Sequence, residues 1–313
     1  MRFNSKEDII ALTPQWKGKR LPDGRPYVED KYLKALQGMT LEEVWKPIFV
    51  KGYENQFVGG GVNPLHVLHD DGRKLIGRAV TCAFCPTRPD LHETMFAVGE
   101  KEGRHGNYNQ WVIDSLVEND VVVVDMFDKI YKGTFLGGNL TTAIKTKTKN
   151  GGAVIWGGIR DVEQMKQIDE VQVYYRGIDP TPIRDFVMTG FNSVVSFGGA
   201  VCLPGDVVFG AGGGVLFIPS HLVAEVVDGA AKTHVKDDFG FEMIAQNKFT
   251  TAQIDRNTWT VEMLDLLMDF IKNDPRGKAY RDLDWSKEYE LARNGDPNDT
   301  QTALSCPAVP QLP

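Results

Sequence analysis

The alternation of apolar and polar positions divides the chain into three zones. Up to about residue 73, residues 27–49 place apolar side chains three and four apart, the spacing of an amphipathic helix, so this zone is expected to cap or extend a core built elsewhere. From about 74 to 246, short apolar runs alternate with amphipathic stretches: 74–84, 120–127 and 153–158 read as strands, with 109–117 and 137–150 as the helices between them. Runs of this kind, apolar at successive positions, belong to parallel strands buried on both faces. Beyond Gly158 the runs at 171–177, 193–197, 206–210 and 214–219 crowd together between Gly and Pro turns, which predicts a more antiparallel second layer. A long helix is expected from Ser220 to about residue 244, and the Pro-, Asn- and Asp-rich end of the 247–313 zone reads as a loosely held tail.

Composition narrows the function classes. The 313 residues are 42% hydrophobic and 25% charged, enough for one large domain or two modest ones. A net charge of −7 argues against a nucleic-acid binder and for small-molecule chemistry. No apolar run reaches membrane-spanning length, and the N-terminal stretch carries acids and a proline where a leader needs continuous apolar residues; a cytoplasmic protein with no membrane partner is expected. Cys82 and Cys85 have the spacing of half a zinc site, but no second such pair follows, so a structural use is favoured. His66 and His69, with Asp70 and Asp71, read as a loop closing on the Asp71-Gly72 turn. The basic run from Lys145 to Lys149 reads as a solvated helix face.

The candidate chemistry gathers where strands end. Gly137, Gly138 and Asn139 precede a helix starting near Leu140, and backbone N–H groups at a helix N-terminus suit a carboxylate or phosphate. Arg160 and Asp161 follow Gly157-Gly158 at the carboxyl end of the strand at 153–158, where ligands of α/β sheets bind. Asp125 ends the neighbouring strand and is expected on the same rim. Gly157 and Gly158 are read as a sharp turn that lets a ligand approach the backbone. The alternative is an Arg160–Asp161 surface ion pair with Asp125 capping a loop, and spacing alone leaves both open.

The ordered set of motifs, Gly137-Gly138 before a helix, Gly-x-x-Arg160-Asp161 after a strand, and Pro204-Gly205-Asp206 before two final strands, resembles the family of the regulator of ribonuclease activity A and the 4-hydroxy-4-methyl-2-oxoglutarate aldolases, over roughly residues 74–246. The resemblance implies an α/β fold, an αββα sandwich of the swivelling β/β/α type with extensions at 1–73 and 247–313. It implies a homotrimer or homohexamer with the active site between subunits. The implied activity is divalent-metal-dependent aldol cleavage or decarboxylation of a 2-keto acid, with Mg²⁺ or Mn²⁺ as cofactor. In that scheme Asp161 ligates the metal, Arg160 contacts the substrate, and Asp125 holds metal-bound water. The amides around Gly137, Gly138, Asn139 and Leu140 receive the substrate carboxylate, and Asp238, or its neighbour Asp237, completes the metal's shell from another subunit.

Two departures stand out. The acidic turn usual between the last two strands is Gly212-Gly213-Gly214 here, and Arg176 stands where the aldolases carry a lysine, keeping a charge for the substrate in a more rigid fork. A metal-dependent lyase is therefore set against a non-catalytic regulator that uses the same fold as a protein-binding surface, and against elimination or isomerisation of a sugar-derived acid at the same site.

Overall fold

The computed structural model describes residues 3–295. The described residues separate into two compact units that part between Val227 and Asp228. The first is a mixed α/β unit built on one large sheet.

Eleven strands occur among the described residues: β1 (Phe57–Gly59), β2 (His66–Val67), β3 (Leu75–Pro86), β4 (Asp120–Leu136), β5 (Gly152–Ile159), β6 (Gln172–Ile178), β7 (Phe186–Phe191), β8 (Val195–Phe197), β9 (Ala200–Cys202), β10 (Val207–Ala211) and β11 (Gly214–Ile218). The main sheet runs β1-β11-β10-β3-β4-β5-β6-β2, with β7 also paired to β3. β3, β4, β5 and β6 are parallel in sequence order, as the alternating pattern predicts. The later strands are antiparallel, as expected, but most do not form a second layer: β10 and β11 extend the main sheet beside β3, and only β8 and β9 make a separate two-stranded ribbon. The reason lies in β3, whose lower half, Leu75 to Arg78, pairs with β10 while its upper half, Cys82 to Pro86, pairs with β7.

Alternation on the strands sends side chains into two cores. Val80, Cys82, Val122, Val124 and Ile155 face a helical layer. That layer comprises α4 (Pro89–Lys101), α5 (Tyr108–Asp114), α6 (Gly138–Thr148) and the single turn α7 (Val162–Met165), which bring in Met95, Trp111, Ile144 and Met165. Val121, Val123 and Val154 face the opposite way, toward Val195, Phe197 and Cys202 of the β8–β9 ribbon. The run Val121 to Val124 is wholly buried because both faces of β4 are covered. Cys82, fully buried in the first core, has the structural use expected of it.

The stretch at 1–73 is no separate extension. It contributes α1 (Lys6–Leu12), α2 (Asp30–Leu36) and α3 (Leu41–Phe49), the last two divided by a break at 37–40 where Thr40 caps α3 through the Glu43 amide. β1 and β2 join the two ends of the sheet. Arg25 pins this stretch inward: its guanidinium meets Asp120 at 2.8 and 3.0 Å, with both side chains buried. His66 lies in β2 opposite Tyr175, so the expected loop begins only after a short strand, and the turn at Gly72 has φ +81°.

The two units part at 228, within the long helix, α8 (Val223–Ala245), earlier in the chain than the boundary expected near 247. Its later turns belong to the second unit, where Val235, Phe239 and Met243 share a core with Leu264, Leu267 and Phe270 of α10 (Val261–Asn273). The unit also contains α9 (Thr251–Ile254) and α11 (Ser286–Asn294). The tail expected at the C-terminus lies, from residue 296, outside the described residues. Among the described residues, no helix is long and apolar enough to cross a membrane.

Candidate active site

β4 does not end at Asp125. Its register against β5 runs evenly to the pair Asp125–Trp156, then skips so that Lys129 meets Gly157, Thr134 meets Gly158 and Leu136 meets Ile159. Residues between these anchors bulge out of the ladder, with Phe127, Asp128 and Lys132 in the left-handed region. This explains Gly157 and Gly158 differently from the turn expected of them. β5 continues straight through both, and a Cβ at Gly157 would lie 2.7 Å from Met126 Cβ, one at Gly158 2.9 Å from the Ile130 carbonyl oxygen. The glycines make room for the bulging strand beside them.

The return of β4 to the sheet builds the site. Arg160 N–H donates to the Leu136 carbonyl at 3.0 Å, and just beyond this bond both chains leave the sheet. One enters α6 through Gly137, and the other enters α7 through Asp161, which adopts φ +59°, ψ +32°. The two helix starts are thereby clamped together. Gly138 N–H donates to Asp161 Oδ2 at 3.2 Å, and Arg160 Nη1 approaches the same oxygen at 3.6 Å. Gly137 is required by this approach: a Cβ there would overlap Asp161 Oδ2 and stand 3.2 Å from Arg160 Nε. Asp161 and Arg160 keep 30% and 42% of their side-chain surface exposed, so the pair is open to a ligand.

Gly137, Gly138, Arg160 and Asp161 therefore meet, as the resemblance implies. Asn139 and Leu140 occupy the first turn of α6, whose amides have no intrahelical carbonyl to reach; the first such bond is Thr141 N–H to the Gly137 carbonyl, at 3.0 Å. Asp125 sits one step below the bulge, where its Oδ1 accepts from Phe127 N–H at 2.9 Å, and burial raises its carboxyl above the ordinary range. Arg176 is committed elsewhere. Its guanidinium pairs with Asp128 at 2.9 Å, donates to the Pro64 carbonyl and stacks 4.4 Å from the Trp156 ring, and none of these partners belongs to the corner. Asp237 and Asp238 lie on α8 in the second unit.

One neighbour was not anticipated. Gln164, a turn along α7, carries its carboxamide oxygen 3.0 Å from where a Gly138 Cβ would sit. The spacing Asp161-x-x-Gln164 matches a capping box in sequence, but Asp161 makes no side-chain capping bond to α7, its carboxylate accepting from Gly138 N–H instead.

Among the described residues, no group of three His, Cys, Asp or Glu side chains is placed to hold a metal. The corner offers one exposed carboxylate. That donor set suits a hard ion that keeps most of its water, as Mg²⁺ and Mn²⁺ do, and not a closed zinc site.

The family described as RraA-like, Aldolase/RraA, matches residues 52–217. This region starts earlier and ends earlier than the 74–246 expected, taking in β1 and β2 and stopping within β11. Among curated proteins, DlpA of Legionella pneumophila is 27% identical over 179 residues, 55% of this chain but 25% of that protein, so the chain spans about a quarter of this relative's length. A protein of Pseudomonas putida named "Putative 4-hydroxy-4-methyl-2-oxoglutarate aldolase" is 30% identical over 156 residues, 46% of this chain and 95% of that one. Among solved structures, Streptomyces coelicolor RraAS2, described as an unusual member of the RNase ES inhibitor RraA protein family, superposes with a TM-score of 0.53 at 22% identity, covering 69% of this chain and 97% of that one. That likeness shows the fold alone.

Proposed function

The chain belongs to the RraA-like family, and from that premise we propose that it is a carbon–carbon lyase acting on a small 2-keto acid at the Arg160–Asp161 corner. The observation that carries this reading is the convergence of a guanidinium and a helix-start amide on one exposed carboxylate at the carboxyl end of β5. The aldolase names among relatives support a lyase.

Breaking a carbon–carbon bond beside a ketone leaves an electron pair on carbon, which must delocalise onto the carbonyl oxygen. Arg160 is assigned to that oxygen and its neighbouring carboxylate: its charge is permanent and its fork is planar, so it stabilises the enolate as negative charge builds. The amides of Asn139 and Leu140 receive a substrate carboxylate at the positive end of α6. Asp161 would hold Mg²⁺ or Mn²⁺, which supplies a Lewis acid when bound. Asp125, its carboxyl raised by burial, is assigned to hold a water on the same rim. In a trimer or hexamer, Asp238 of a neighbouring copy is assigned to complete the ion's shell. The substrate role implied for Arg176 has no place in this proposal, because Asp128 and Trp156 already occupy its guanidinium.

The test is pyruvate release from oxaloacetate and from 4-hydroxy-4-methyl-2-oxoglutarate, with Mn²⁺ or Mg²⁺ and with chelator, in the parent protein and in Asp161→Asn. Metal-dependent release lost in the variant is the expected result. A protein that binds Mn²⁺ yet releases nothing above the metal-only blank belongs to another enolate reaction, such as elimination. One that neither binds metal nor turns over sinks the lyase and leaves the protein-binding regulator.

A further inference from the structure

A second pocket, of about 380 Å³, lies where residues 12–16 meet the ends of β9, β10 and β11, and shares no residue with the Arg160–Asp161 corner. Most of its wall lies outside the family-matched region 52–217: Leu12 to Trp16 precede that region, and Pro219, Ser220 and His221 follow it. The part of the chain added to the family fold thus creates a cavity of small-ligand size.

We propose that this pocket binds a neutral, largely apolar ring compound carrying one hydroxyl or carbonyl group, which hydrogen-bonds to the Tyr53–His221 pair. Three observations carry the assignment. First, the wall is preformed. Arg20 Nη1 donates to Thr13 Oγ1 and to the Gly24 carbonyl at 2.8 Å, Arg20 Nη2 donates to the Thr13 carbonyl at 2.8 Å, and Trp16 Nε1 donates to the Lys19 carbonyl at 2.7 Å. A ligand therefore does not have to order the 12–16 segment to bind.

Second, the strongest polar groups lining the pocket are already spent. Gln56 Nε2 donates to the Val201 and Phe217 carbonyls, and the two oxygens of buried Asp206 accept from Leu203 N–H at 2.8 Å and Ser220 N–H at 3.3 Å. Burial without a cation pushes the Asp206 carboxyl up to about 7, so it brings an incoming anion no positive charge, and the negative charge it carries in part near neutral pH repels one. Much of what remains is apolar surface, from Leu12, Pro14, Trp16, Val201, Leu203 and Pro219.

Third, the Tyr53–His221 couple remains available. Tyr53 Oη stands 3.3 Å from His221 Nε2, and burial first, then the nearby Lys51 charge, lowers the imidazole below its usual range, which keeps it neutral. A neutral imidazole and a phenol that share one hydrogen bond still have a donor and an acceptor between them for a ligand hydroxyl or carbonyl. Lys51 is paired with Glu225 at 2.9 Å and does not line the pocket, so a carboxylate would enter this wall without a free cation to meet it, which is costly.

The probe is 2-naphthol, with 2-naphthoate as its anionic counterpart, titrated calorimetrically at pH 7 into the full chain and into Arg160→Ala, which removes the carboxylate-binding group of the lyase corner. Expected is saturable binding of 2-naphthol, unchanged by Arg160→Ala, with the naphthoate at least roughly tenfold weaker. Leu203→Trp, which fills the pocket, abolishes it, and Tyr53→Phe weakens it by roughly three- to tenfold. No saturable binding of 2-naphthol, equal affinity for the naphthoate, or affinity unchanged in Tyr53→Phe overturns the proposal. The Tyr53→Phe arm decides alone should Leu203→Trp fail to fold. Because binding and not turnover is read, failure here leaves the lyase reading untouched, and the reverse holds.

Discussion

Two arginine–aspartate pairs in the first unit use the same chemistry for opposite ends. Arg25 and Asp120 meet through two hydrogen bonds at 2.8 and 3.0 Å, with 2% and 0% of their side chains exposed, and a further bond from Arg25 reaches the Ala79 carbonyl. Arg160 and Asp161 stand 3.6 Å apart, partly open to solvent, and Asp161 divides its attention between the guanidinium and the Gly138 amide. The first pair is saturated and walled in, so it can only hold the chain together. The second is loose and reachable, so a ligand can compete for both members at little cost. Residue identity does not separate a strut from a working site; the number of unspent hydrogen-bonding positions does.

The comparison breaks first at the buried pair. Arg25→Ala leaves Asp120 without its cation, and a loss of about 3–5 kcal/mol is expected in urea unfolding, because an unpaired buried charge is left behind. Should the loss stay under about 1 kcal/mol, the pair is no strut. At the open pair the expected pattern is inverted. Asp161→Asn should cut pyruvate release by about 10³-fold, on the order of 4 kcal/mol of transition-state stabilisation, while the urea midpoint barely moves.

A third acid sharpens the contrast, since Asp206 is buried like Asp120 but has no arginine. Its folded-state value of about 7 lies above the ordinary carboxylate range, so the folded state holds this proton more tightly than the unfolded chain does. Stability from this group is therefore full below about pH 4, falls as pH rises from there, and is lost by about pH 7, by up to about 4 kcal/mol in all. Melting temperatures of the parent and Asp206→Asn, compared from pH 5 to 8.5, should converge in slope only if other groups dominate; a flatter profile in the variant is expected.

Gly137→Ala comes next. A methyl pressed against Asp161 should cost about 1–3 kcal/mol of strain, and it should lower turnover more than it lowers the melting temperature, because the displaced group is the one assigned to hold the ion. Smallest is Arg160→Ala read by stability alone, where an exposed pair at 3.6 Å predicts less than about 1 kcal/mol.

The open pair was legible in sequence and the buried one was not, for a physical reason. Arg160 and Asp161 are adjacent, follow an apolar run and face a Gly-Gly helix start, so local pattern and strand-end geometry place them. Arg25 and Asp120 are 95 positions apart, and nothing in either neighbourhood names the other. The bulge of β4 was hidden in the same way. Phe127, Asp128 and Lys132 take left-handed backbone without glycine, and the room for their bulge comes from the glycines of β5 across the ladder, far from them in sequence. Arg176 shows what position alone leaves out: the bulge delivers Asp128 to its guanidinium, a pairing that nothing near either residue announces. The division at 228 left no mark in the sequence, because α8 is one uninterrupted helix whose later apolar residues serve a different core.

The doubly paired β3 has a consequence for the order in which the chain can fold. Its lower half waits for β10 and its upper half for β7, segments more than a hundred residues downstream, whereas the parallel partner β4 arrives far sooner. During synthesis, β3 and β4 can pair while one full side of β3 still presents bare N–H and C=O groups. Until the chain has emerged as far as Ala211, that side is a template for any other strand, including β3 of a second nascent chain. The late antiparallel strands thus do more than widen the sheet: they close its most adhesive edge, and a chain cut before Val207 is expected to aggregate instead of forming a smaller version of the same fold.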